Sequence, residues 1–256
     1  MNKAKNIRRI GAFVIALAVA MMVFAAVDRK KHMQADNLTI TIKPLQNKDN
    51  LVTPEELKLS LRELIGSEVD GQVLKNIDIA RIENTLETDP FVENVDCFVD
   101  ANNKLNITVM QRSPLLRIID KNGQGYYLDK YGKKVPLSKH FASRMLVANG
   151  NISTYVSDSI TNPQNKLILA LFDLSNLIQQ DNFLTTLTEQ IFVTPKHEIM
   201  IIPKIGKQTI LLGDANKLND KLKKIKLFYQ EAMPYVGWQE YAQINVKYNG
   251  QIVAKK

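Results

Sequence analysis

The sequence predicts an α+β protein in three parts: a single N-terminal transmembrane helix, a small β-α-α-β-β domain, and a strand-rich mixed α/β domain. Three observations predict it. Ile10 to Val27 is an unbroken run of eighteen apolar or small residues behind a tail that carries Lys3, Lys5, Arg8 and Arg9 and no acid. Within residues 38–112 the apolar period goes from two to the helical repeat and back to two. From residue 113 onward, short runs of strand character separated by Gly, Pro and Asn dominate, with helical stripes between them.

The first helix is argued from length. At 1.5 Å rise per residue the run is about 27 Å long, enough to cross a hydrocarbon core of about 30 Å with little tilt. The tail, residues 1–9, is expected to stay cytoplasmic under the positive-inside bias, with the body on the far side, although Arg29, Lys30 and Lys31 reduce the asymmetry. A cleavable signal peptide is the other reading, with Ala18-Val19-Ala20 or Val23-Phe24-Ala25 as its small-residue site. The run outlasts a signal core of about 7–15 residues and has no polar break, which favours retention. Residues 28–37 then form a juxtamembrane linker.

Composition narrows the function classes. Removing the four basic residues of the tail leaves 30 Lys and Arg against 26 Asp and Glu, a body charge of +4. That is too dilute for a nucleic-acid protein, and the densest basic stretch, Lys221 to Lys226, is interrupted by Leu222 and Ile225 and reads as the wet face of a helix. Cys97 is the only cysteine, so no intramolecular disulfide exists. Its phase with Val95 and Val99 places it on a buried strand face, where a thiol is inert. The Asn-x-Ser/Thr triplets at Asn37, Asn106 and Asn151 matter only in a source that glycosylates secreted proteins.

The elements of residues 38–112 follow in order. Leu38, Ile40 and Ile42 alternate with polar residues as a strand. Thr53 is set to cap a helix with Pro54 at its first position and Glu56 as the reciprocal capping-box partner; Leu57, Leu61, Leu64 and Ile65 make its stripe and Gly66 stops it. A second helix is predicted over about Asp78–Leu86 with stripe Ile79, Ile82 and Leu86, ended by Asp89-Pro90. Val95, Cys97 and Val99, a polar turn Ala101 to Lys104, then Leu105, Ile107 and Val109 predict a hairpin with one buried face. In order and size this unit resembles a POTRA domain, whose open sheet edge is either a place for a partner strand or a blunted surface of a spacer.

Beyond it, strands are predicted over Tyr126–Asp129, Val135–Leu137 and Met145–Ala148, with a turn at Tyr131-Gly132-Lys133. Leu167, Leu171, Leu174 and Ile178 mark a core helix and Ile191-Phe192-Val193 a strand. Ile210 to Asp214 leads into a helix with stripe Leu218, Leu222, Ile225 and Tyr229, Asp214 as its cap, Lys217, Lys221 and Lys224 off the stripe, and Pro234 as its end. The last strand runs from Ile244 through Asn245, Val246, Lys247 and Tyr248, past Asn249-Gly250 to Ile252 and Val253.

Taken in order, the basic tail, the apolar helix, the POTRA-like unit with Asp89-Pro90-Phe91-Val92, Gln111-Arg112-Ser113-Pro114, Tyr127-Leu128-Asp129 with Gly132, and the closing strand make the chain resemble the FtsQ/DivIB family of bacterial cell-division proteins. In that family Asp and Arg are more usual where this chain has Asn245 and Lys247. The resemblance implies a non-catalytic, bitopic scaffold in the inner membrane, its body periplasmic at the division septum. It also implies partners of the FtsB and FtsL type and a link to septal peptidoglycan synthesis.

The expected domains are thus residues 1–9, 10–27, 28–37, a POTRA-like 38–112 and a C-terminal β domain 113–256. Partner binding is assigned to Ile244, Asn245, Val246, Lys247, Tyr248, Ile252 and Val253, as an edge to which a partner strand adds.

No catalytic, cofactor or metal residue is assigned, and neither nucleic acid nor a small-molecule substrate is expected. The histidines His32, His140 and His197 are scattered and none is in a His-Glu-x-x-His arrangement; Asp129, Asp158, Asp173 and Asp181 lie on different segments. The alternatives are a membrane-anchored envelope enzyme acting on peptidoglycan or peptides, and a POTRA-type transport or assembly factor. The second would require barrel strands, which are missing from the sequence.

Overall fold

In a computed structural model of the chain, the described residues are 2–31, 33–34, 37–45, 49–65, 73–141, 144–156 and 159–256, without the side chains of 2–10, 12, 31 and 65. Gly66, His32 and Asp158 therefore lie outside the described residues. The chain divides into two compact units, Met1–Pro44 with Val52–Gln111, and Leu45–Leu51 with Arg112–Lys256.

The first unit opens with helix α1, Asn2–Lys31. Its side chains from Phe13 through Phe24 to Val27 are exposed. Among the described residues no helix is long and apolar enough to cross a membrane. The side chains of Ile10 and Ala12 fall outside that set, and the stretch from Phe13 to Lys30 takes in Asp28, Arg29 and Lys30.

Next come β1 (Leu38–Lys43), α2 (Pro54–Ile65), a single 3-10 turn at Leu74–Asn76, α3 (Ile79–Glu87), β2 (Val92–Val99) and β3 (Leu105–Gln111). The sheet order is β1-β3-β2, with β1 parallel and β2 antiparallel to β3. The capping box forms: Glu56 Oε2 accepts from Thr53 N at 3.0 Å, and Thr53 Oγ1 from Glu56 N at 3.3 Å. Asp78 caps α3 by accepting from Arg81 N at 3.0 Å.

Leu57, Leu61, Ile82 and Leu86 meet Val95, Cys97, Leu105, Ile107 and Val109 in one core. The α2 stripe is shorter than predicted, because Leu64 is 59 % exposed. Helical spacing sets which way a side chain faces, while burial also needs something opposite it. Burial pushes the Cys97 thiol up to about 12, helped by the charges of Glu83 and Asp96.

The second unit contains β4 (Pro114–Ile119), β5 (Gly125–Asp129), β6 (Lys134–Pro136), β7 (Leu146–Gly150), α4 (Lys166–Gln179), α5 (Asn182–Leu187), β8 (Thr188–Val193), β9 (Ile199–Pro203), β10 (Thr209–Gly213), α6 (Leu218–Leu227), α7 (Met233–Val236), β11 (Gln243–Asn245) and β12 (Val253–Lys255). They build one nine-stranded sheet in the order β12-β11-β10-β9-β8-β7-β4-β5-β6. Ile118, Leu128, Ala148, Ile191, Ile201, Ile210 and Ile244 from the strands share a core with Leu171, Leu174, Ile178, Leu222, Ile225 and Tyr229 from α4, α6 and the turn beyond α6. This is sheet packed on helix, the layer arrangement in which each element buries its apolar side.

Several predicted details change here. Strands β4 and β9 and the short α5 were not predicted; β4 pairs with β5 and, in parallel, β7, β9 lies between β8 and β10, and Asp181 caps α5. Pro234 does not end the last helix. A π-helical stretch, Phe228–Ala232, shifts the hydrogen-bond register, so that Pro234 falls in the first turn of a new helix, α7, and Gly237 at φ 87° closes it. Asp214 does not cap α6 either: the N-cap position is Lys217, in left-handed geometry at φ 54°, and Asp214 binds Lys221 instead.

One turn chemistry is used three times. Asp100, Asp120 and Asp129 each end a strand or follow one directly, and the Oδ1 of each accepts from the backbone N–H groups two and four residues on. The residue three on, Asn103, Gly123 or Gly132, has positive φ. In each, the carboxylate's two N–H donors reinforce a backbone bond across the reversal, from the N–H of the Asp to the carbonyl four residues on.

Candidate partner-docking edge

The assigned residues meet at one end of the nine-stranded sheet, but not all on its edge. Strand β11 pairs in parallel with β10, Ile210 opposite Ile244, and antiparallel with β12, Ile244 opposite Ala254. Ile244 and Val246 are 0 % exposed and belong to the core. The edge is β12, which contains Val253 but neither Ile244 nor Asn245. Strand β12 is only three residues long, and the rest of the segment, Lys247 to Ile252, is irregular, with a turn at Asn249-Gly250.

Lys255 O accepts from Ala242 N at 2.8 Å and so faces β11. Because backbone groups alternate sides along a strand, the N–H and C=O of Ala254 face away from β11. That side carries no strand among the described residues. Short length and flanking lysines are the usual ways in which proteins keep such an edge from pairing indiscriminately.

The turn between β11 and β12 is held by charge. Asn245 Oδ1 accepts from Lys247 N at 3.1 Å, and Lys247 Nζ sits 3.2 Å from Glu198 Oε1 and 5.3 Å from the centre of the Tyr248 ring. The Glu198 carboxylate raises the Lys247 ammonium above its ordinary range. Gly213, at φ 74°, allows this approach, since a Cβ there would lie 3.0 Å from Lys247 Cβ. Lys224, reaching over from α6, donates to Val246 O at 2.7 Å and to Tyr248 O at 2.6 Å. Tyr248 keeps 45 % of its surface exposed.

The basic stretch of α6 is therefore not a wet face. Lys221 is buried and its ammonium lies 2.6 Å from Asp214 Oδ1; Lys226 Nζ lies 2.7 Å from Asp181 Oδ2. The signal was available for Lys221: counted from Leu218 it occupies the i+3 place of an i, i+3, i+4, i+7 face. For Lys224 no local signal existed, because its acceptors are carbonyls more than twenty residues away.

Arg112 Nη1 and Asp129 Oδ2 form a buried ion pair at 2.8 Å. His197, with φ 59°, has its Nε2 3.4 Å from Asn151 Nδ2, and the backbone N–H of His140 donates to Ser138 Oγ. Burial raises the Asp173 carboxyl, whereas the Lys226 hydrogen bond lowers that of Asp181. Among the described residues no group of three or more His, Cys, Asp or Glu is placed to hold a metal ion. What the C-terminal edge offers is backbone pairing, framed by Tyr248, Lys247 and Lys255.

Comparison with known proteins agrees with this architecture. Residues 34–110 match the family model of the POTRA-like domain, and residues 113–255 match that of FtsQ/DivIB, C-terminal related. No curated protein matches the chain. The second match covers more than half of the sequence, and its limits fall beside the start of β4 and the end of β12. The chain belongs to the FtsQ/DivIB, C-terminal related, family and carries a POTRA-like domain ahead of that region.

Proposed function

We propose that this protein is a non-catalytic, single-pass scaffold of the bacterial divisome whose C-terminal edge captures a strand of a bitopic partner of the FtsB or FtsL type. The observation that carries the reading is β12: a three-residue edge strand with its outer side open, laid on β11, which the core buries. A partner strand added there gains backbone hydrogen bonds of about 0.5–1.5 kcal/mol each, with Tyr248, Lys247 and Lys255 beside it to select the sequence. Two proteins tethered in one membrane also gain effective concentration, so a short edge suffices.

Membrane attachment through Ile10–Val27, with the body in the periplasm at the septum, belongs to the same proposal. It is supported by the apolar run and by the exposure of Phe13, Ile15, Met22 and Phe24 on α1, surface that water does not favour. Holding the partners in place would bring septal peptidoglycan synthesis under the control of the assembly. N-terminal sequencing of membrane-extracted protein tests retention: a mature chain starting near Met21 or Ala26 rejects the anchor.

The edge is tested by Ala254→Pro. Proline removes the outward N–H and leaves the inward-facing groups of Val253 and Lys255 in place, as edge strands allow. The full-length variant should keep wild-type unfolding by Trp238 emission yet lose capture of co-expressed FtsB-type protein from detergent extracts. Undiminished capture by a folded Ala254→Pro protein would reject the edge mechanism, and turnover of a wall substrate by the purified chain would reject the scaffold.

A further inference from the structure

We infer that Lys224 is a latch for the docking edge: its ammonium fixes the β11–β12 connection from α6 and so positions β12 to receive a strand. The inference rests on the docking reading above. Past Val246, whose N–H donates to Leu211 O at 3.0 Å, the connection to Val253 is in no strand, and β12 is held to β11 by a three-residue pairing extended by the bond from Ala242 N to Lys255 O. Pairing of that length does not by itself hold a strand in register.

Lys224 Nζ lies 2.7 Å from Val246 O and 2.6 Å from Tyr248 O, with Gln251 O at 3.5 Å. One cation on a core helix thus gathers carbonyls from both sides of the Asn249-Gly250 reversal. Charge-assisted bonds of this kind are shorter and stronger than neutral ones. The ammoniums of Lys221 and Lys247 are engaged elsewhere, with Asp214 and Glu198. Lys223, on the same helix, is exposed and serves as a control.

The experiment uses full-length protein in detergent, with Lys224→Met to remove the charge, Lys224→Arg to keep it, and Lys223→Met as the neighbour. Amide hydrogen exchange is read over 243–256, over β10 and over the β2–β3 hairpin, beside Trp238-detected melting and capture of co-expressed FtsB-type protein. In Lys224→Met, exchange across 246–255 should rise at least tenfold while β10 and the hairpin keep wild-type rates, and capture should fall at least tenfold. Lys224→Arg should recover most of both, and Lys223→Met should match wild type. Unchanged exchange in Lys224→Met overturns the latch, as does a rise that spreads through β10 with a lowered melting transition, which would make Lys224 a general core residue. A local rise with undiminished capture also overturns it. If Ala254→Pro and Lys224→Met both capture normally, the docking reading is what has failed.

Discussion

The hairpin β2–β3 and the pair β11–β12 are both antiparallel, yet they are held by different things. In the first, the two strands pair across a short turn: Val95, Cys97 and Val99 face Val109, Ile107 and Leu105, Asp100 accepts two backbone bonds at the reversal, and β1 adds in parallel on the other side of β3. In the second, β11 is placed by a parallel partner thirty-odd residues earlier, and its turn by a lysine from another element. Alternation along a strand specifies a face, but it carries no information about how many neighbours that strand will have. A family resemblance supplied the region of interest, and only the sheet order separated its buried strand from its edge.

The largest effect that can break this contrast is in the core. Ile244→Ala should destabilise the second unit by about 2–5 kcal/mol, read from urea unfolding by Trp238 emission, because Ile244 is fully buried. A cost below about 1 kcal/mol would mean that β11 behaves as an edge after all. Next, Thr53→Ala removes one half of the capping box and should cost the first unit about 1 kcal/mol, measured by hydrogen exchange in α2 and α3.

The smallest effect sharpens the local side of the comparison through pH. The backbone bond from Lys104, joined by that from Asn102, holds the Asp100 carboxyl below its ordinary range. A carboxylate with a depressed folded pKa contributes stability that is present above the unfolded value of about 3.9 and is lost as pH falls through the folded one. Protection of the β2–β3 turn should therefore weaken below about pH 4 in wild type. In Asp100→Asn it should be lower at neutral pH and flatter across that range; an identical acid profile would remove Asp100 from the account.

Legibility followed sequence distance. The capping box at Thr53, the stripes of α3 and α4, the hairpin phase and the buried setting of Cys97 could all be read, since each depends on residues within a few positions of one another. The π-helical shift before Pro234 could not be, because the interruption that spares the helix is a register change made upstream of the proline. Nor could Lys224, whose helical position places it off the stripe while its stem is long enough to reach backbone carbonyls across the layer.

By itself, the order of residues determined the elements that close on themselves: helices started by Thr53 and Asp78, reversals made by Asp100 and Asp129, and the side of each strand that meets the core. The tertiary structure alone decided which strand ends the large sheet, that Ile244 and Val246 are buried in it, and that a lysine from α6 holds the final turn. The physical reason is that capping and turn bonds are made between near neighbours in the chain. An edge exists only once every other strand has found its partner.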